Sequence, residues 1–149
     1  MQFRGAIARR GNPLPMATIL LIEDDDDVRT MIAAVLGKAG HTVRQAENGV
    51  EGLQLYRDKP VDLVLTDLVM PEKEGLATII ELRRINPTVR IIAMSGGYVY
   101  DPKLYLHMAT RFGADRVLSK PFDIEVLKQI VRETLATPRA PSEPGPAGS

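Results

Sequence analysis

The chain alternates between short unbroken apolar runs and helical stripes. Ile19 to Ile22, Leu63 to Leu65, Ile91 to Met94 and the brief Val117 to Leu118 are apolar at successive positions. A strand with that pattern is buried on both faces, as in a parallel sheet covered by helices. A weaker run, His41 to Ala46, alternates instead and reads as an edge strand. Between the runs, Val28, Met31, Ile32, Val35, Leu36 and Ala39 keep helical spacing and Gly40 supplies a stop signal; Leu127, Ile130, Val131 and Leu135 form a second stripe near the end. Five strands alternating with five helices predict a doubly wound α/β domain with a parallel sheet, since a crossover between parallel strands needs a helix.

The pattern covers residues 17–136. Residues 1–16 mix Arg, Gly and Pro without periodicity and are expected to be a disordered extension, with Met16 an alternative translation start. Residues 137–149 carry Pro138, Pro141, Pro144 and Pro146 among small residues, a composition that cannot bury a core, and are expected to be a disordered tail.

Composition narrows the function. The 149 residues suit one domain of ordinary size. Lysine plus arginine and aspartate plus glutamate both total 19, so there is no basic footprint to predict a nucleic-acid partner, and nothing predicts a membrane partner. Setting aside the two ends leaves 15 bases against 18 acids, a mildly acidic core. The absence of cysteine excludes thiol catalysis, disulfides and thiolate zinc sites. His41 and His107 have no acidic or sulfur partner at ligand spacing and are expected to play ordinary surface roles. No apolar run has the length of a membrane span, and the N-terminus lacks a signal peptide's apolar stretch, so a cytoplasmic location is expected.

In an open parallel sheet, ligands bind beyond the carboxyl ends of the strands. After the first run come Glu23, Asp24, Asp25, Asp26 and Asp27; after the third, Asp67; after the fourth, Ser95; after the fifth, Lys120 and Pro121. The turn after the first run holds acids where a nucleotide-binding turn would hold glycines, so it attracts a cation. Asp25 is the expected helix cap, and Asp26 and Asp27 suit the first helical turn, where the macrodipole favours negative charge. Glu23, Asp24 and Asp67 remain. Each close pair of these would repel by about 4 kcal/mol at an effective dielectric near 20. A divalent hard cation offsets this, and Mg2+ suits it, being held by one or two carboxylates, a carbonyl, waters and a phosphoryl oxygen. Ser95 and Lys120 can meet the phosphoryl oxygens.

In order and spacing, ILLIEDD at 19–25, VDLVLTDLVMP at 61–71, IIAMSGG at 91–97 and VLSKPF at 117–122 resemble the receiver domain of two-component response regulators. The resemblance implies a flavodoxin-like (βα)5 fold with strand order 2-1-3-4-5. It implies that Asp67 accepts phosphate, and that Glu23, Asp24, Asp67 and the Val69 backbone carbonyl hold Mg2+. It further implies that Ser95, Gly96, Lys120 and Pro121 form the phosphate-binding and switch region, with a cis Lys120–Pro121 bond, and that Val69 and Gly97 influence dephosphorylation. Family members often have an aromatic residue three positions before the lysine, where this chain has Val117. Tyr98, Tyr100 and Tyr105 fill a longer stretch between Ser95 and Lys120 and are candidates for packing or partner contact.

The expected function is that of a stand-alone phosphoacceptor response regulator, not a separate enzyme. It would receive phosphate from a histidine kinase or histidine phosphotransfer protein and signal to a protein target through a changed surface. The alternatives are a degenerate receiver acting as a phosphorylation-independent interaction module and a phosphatase of the haloacid dehalogenase type. That phosphatase needs a second acid two residues after the nucleophile, and position 69 is valine.

Overall fold

The computed structural model describes residues 16–68, 74–96, 107 and 109–137. The elements run β1 (Thr18–Ile22), α1 (Asp26–Lys38), β2 (Thr42–Ala46), α2 (Gly49–Asp58), β3 (Leu63–Asp67), α3 (Glu74–Ile85), β4 (Arg90–Gly96), β5 (Arg116–Lys120) and α4 (Ile124–Ala136). Residues 109–112, just before β5, are also helical. All strand pairs are parallel and their order is β2-β1-β3-β4-β5, the expected doubly wound sheet with β2 at an edge.

Strand periodicity divides the apolar runs between two cores. Leu20, Ile22, Val64, Ile91 and Ala93 pack on one face with Tyr56 of α2 and Ile79 and Leu82 of α3. Ile19, Leu21, Leu63, Leu65, Ile92, Met94 and Leu118 pack on the other with Ile32 and Leu36 of α1 and Leu127 and Val131 of α4. Continuous hydrophobicity was required because neither face is left to solvent.

The strands extend further than the apolar runs. Asp67, Ser95 and Lys120 lie inside β3, β4 and β5, because backbone pairing continues through polar residues that end a hydrophobic run. Asp25 caps α1 as expected, its Oδ1 accepting the Val28 N–H at 3.0 Å. Gly40 follows the helix with φ +103°, a conformation that favours glycine. The α1 stripe is narrower than its spacing predicted. Met31 is exposed because it sits about 100° around the helix from Ile32, and Ala39 is exposed because it has already left the helix as its C-cap. In α4, the buried Thr134 joins the inner face by donating its hydroxyl to the Ile130 carbonyl at 2.6 Å.

His41 needs correction. It is half-buried, and its Nδ1 accepts the Ala17 N–H at 3.2 Å, so it ties the start of β1 to the turn before β2. Burial lowers its pKa from the ordinary histidine value. His107 is exposed, as expected. The expectations for residues 1–15, for the tail from 138 onward, and for Val69, Gly97, Tyr98, Tyr100 and Tyr105 lie outside the described residues.

Candidate functional site

Glu23, Asp67 and Lys120 each follow by two positions a residue of the α1/α4-side core: Leu21, Leu65 and Leu118. Side chains two apart on a strand share a face, so Asp67 of β3, Lys120 of β5 and Glu23, whose N–H carries the pairing of β1 with β2 one residue past the strand, come to one side of the sheet at its carboxyl edge. β4 lies between β3 and β5, and the Lys120 side chain must cross it to reach Asp67. The residue paired with Lys120 is Gly96, which has no side chain to stand in that path.

Contact follows. Lys120 Nζ donates to Glu23 Oε1 at 2.9 Å and to Asp67 Oδ2 at 3.2 Å, closing a sequence gap of 97 residues in the first case. The Lys120–Pro121 peptide bond is cis, as the resemblance implied. Glu23 and Asp67 are buried, whereas Asp24 is exposed at the rim. Glu23, Asp24 and Asp67 can each present a carboxylate oxygen with all three within 4.8 Å of one another. An all-oxygen set of three anions fits a hard divalent cation and offers nothing to a soft one.

The electrostatics carry the strain of that arrangement. Burial and then the neighbouring Asp67 charge raise the Glu23 pKa to about 7, against the opposing pull of Lys120. Burial alone would lower the Lys120 pKa, but its hydrogen bonds and charge contacts with Glu23 and Asp67 outweigh it and leave the ammonium above its ordinary value. The lysine therefore stays charged and offsets part of the repulsion.

The backbone around the acids is held closely. The Glu23 N–H donates to the Ala46 carbonyl at 3.1 Å, and Glu23 Oε2 accepts the Asp25 N–H at 3.1 Å. The Leu68 N–H donates to the Met94 carbonyl at 2.8 Å, carrying the pairing of β3 with β4 one residue past Asp67. Ser95 is fully buried in β4, and among the described residues its Oγ has no hydrogen-bond partner. Ser95 and Gly96 pair with Ser119 and Lys120, so the structure brings the expected serine, glycine and lysine to one end of two adjacent strands.

Sequence reasoning missed two residues here. Gly75, at the start of α3, packs directly on the end of β3. A Cβ at that position would meet Leu68 Cα and lie 2.6 Å from the Asp67 carbonyl oxygen. Arg29 reaches back from α1 to donate to the Glu23 carbonyl at 2.8 Å. The signal for Gly75 was a glycine in the opening turn of a helix, where it has no propensity advantage; for Arg29 it was a cation at a helix start, against the macrodipole.

The response regulator receiver domain model matches residues 19–132. The chain belongs to that family. This receiver is 35% identical over 133 residues to the DNA-binding transcriptional regulator NtrC of Azospirillum brasilense, covering 89% of this chain but 27% of NtrC. It is 38% identical over 122 residues to the sensor kinase CckA of Brucella abortus, covering 80% of this chain and 12% of CckA. The chain thus spans only a small part of those relatives. It is also 32% identical over 125 residues to the response regulator receiver protein CpdR of Brucella abortus, and there the match covers 80% of this chain and 98% of CpdR. The crystal structure of the receiver domain of NtrX from Brucella abortus superposes with a TM-score of 0.74 at 27% identity, covering 80% of this chain and 98% of that one. The receiver has no helix, among the described residues, long and apolar enough to cross a membrane.

Proposed function

We propose that the receiver takes a phosphoryl group on Asp67, with Mg2+ held by Glu23, Asp24, Asp67 and the Val69 carbonyl. The observation that carries this reading is Asp67 itself: a buried carboxylate at the sheet's carboxyl edge, 3.2 Å from Lys120 and beside two further acids. The donor is a phosphohistidine on a histidine kinase or phosphotransfer protein. Similarity to a segment of a sensor kinase supports such a partner.

An Asp67 carboxylate oxygen attacks phosphorus, the O–P bond forms, and the P–N bond breaks with its electron pair going to the departing imidazole. When bound, Mg2+ neutralises charge on the phosphoryl oxygens and on the acids. Lys120 holds Asp67 in place before transfer and can meet a phosphoryl oxygen after it. Ser95 brings a hydroxyl that is unpartnered among the described residues and so is available to a new acceptor. The downstream effect passes through the segment after Ser95.

The test is incubation with a small phosphodonor and Mg2+, followed by intact mass measurement. The parent chain should gain one phosphoryl mass in a Mg2+-dependent way and Asp67→Asn should gain none. Unchanged labelling of the variant would overturn the assignment.

A further inference from the structure

Arg29 stands in the opening turns of α1, two positions after Asp27 and close to a helix N-terminus that repels positive charge. Its side chain is only 13% exposed, while that of Asp26, its ion-pair partner, is 80% exposed. The Arg29 side chain thus lies back along the turn, and its guanidinium has a second partner besides Asp26. Its NH1 donates to the backbone carbonyl of Glu23 at 2.8 Å and its NH2 to the Asp26 carboxylate, so one planar group bridges both ends of the acidic turn. The Asp25 carboxylate caps the helix between those ends, and the Asp25 N–H holds the Glu23 carboxylate.

Resting on the proposed Mg2+ and phosphoryl chemistry, we infer that Arg29 is a positioning residue for the metal-binding acids. Its fork fixes the turn that carries Glu23 and Asp24 at the spacing a divalent cation requires. The rigid planar donor set of arginine is what allows both ends of the turn to be held at once; a lysine ammonium on a flexible stem can reach only one of them well. Fixing ligands through groups that do not themselves touch the metal commonly changes metal affinity by roughly 10- to 100-fold.

Positioning and charge at Arg29 have opposite signs. Arg29 is a cation near a cation site, so if its only effect were electrostatic, replacing it with a neutral residue would tighten Mg2+ binding. If it positions the turn, the same replacement weakens binding.

The experiment is Mg2+ titration by calorimetry on the parent chain, Arg29→Gln and Arg29→Lys, after thermal melts have shown the variants to be folded. Alongside, the rate of labelling by a small phosphodonor is measured across Mg2+ concentrations. Arg29→Gln should weaken Mg2+ binding about tenfold. Arg29→Lys should fall between it and the parent. In both, the Mg2+ concentration giving half-maximal labelling should rise, while the rate at saturating Mg2+ stays near the parent's; a general folding defect would lower that saturating rate instead. Unchanged or tighter Mg2+ binding by Arg29→Gln overturns the inference, as does a lowered saturating rate with unchanged Mg2+ dependence. Failure of the parent chain itself to bind Mg2+ overturns the underlying metal assignment, which keeps the two outcomes apart.

Discussion

Gly75 illustrates how a single atom can matter at the edge of a site. Alanine there would improve helix propensity by up to about 1 kcal/mol. The added Cβ, however, would press on backbone, at 2.6 Å from both the Asp67 and Leu68 carbonyl oxygens, and backbone paired into a sheet cannot move aside as a flexible side chain could. Overpacking of this kind costs about 1–3 kcal/mol, so the clash wins. Gly75→Ala should therefore lose about 1–2 kcal/mol of stability by urea denaturation, with the slope of the transition unchanged. It should also slow labelling at Asp67, because the displaced carbonyls belong to the proposed phosphoacceptor and its neighbour. A variant as stable as the parent would show that α3 yields at this contact and the glycine is incidental.

At the scale of elements, His41 should give the sheet a pH dependence. Its Nδ1 accepts the Ala17 N–H immediately before β1, which only the neutral imidazole can do. Burial also disfavours the charged ring and lowers its pKa in the folded state. The unfolded chain therefore binds more protons than the folded one as pH falls from about 6.5, the free histidine value. This group's stabilisation is fully present above that pH and is lost as pH falls through the lowered folded pKa. Denaturation at pH 8 and pH 5.5 should show the parent losing more stability than His41→Gln, which keeps a polar side chain but cannot titrate. Equal losses in the two proteins would mean that His41 titrates alike in the folded and unfolded chains. Carboxylates elsewhere titrate alike in both proteins and cancel in the comparison.

For the whole molecule, the proposed metal site draws two acids from the turn after β1 and one from β3, so metal binding there would be linked to folding, since the unfolded chain cannot gather them. Mg2+ at a hundred times its Kd should stabilise the fold by about 2.7 kcal/mol, which for a domain of this size raises Tm on the order of 10 °C. Asp24→Asn should remove most of that rise. Without metal it should melt no lower than the parent, because it removes one member of a repelling set while its exposed side chain gives up little packing. A full Mg2+ response in this variant would place the cation elsewhere.

The extent to which all this was legible from the chain follows from the range of each interaction. Apolar periodicity is local, so the runs at Ile19 to Ile22 and Leu63 to Leu65 sufficed to predict buried parallel strands, and the acids, serine and lysine following them marked the correct edge of the sheet. The order β2-β1-β3-β4-β5 came through resemblance, since no local pattern states which strands are neighbours. What only the tertiary structure decided are the contacts between distant residues and the depth of each group: Lys120 shared between Glu23 and Asp67, Asp24 exposed while those two are buried, Gly75 against the Asp67 backbone, Arg29 turned back onto Glu23 and His41 bonded to Ala17. A charge or a glycine in sequence specifies its chemistry but not its surroundings. Those surroundings exist only once register and helix packing have placed the neighbours.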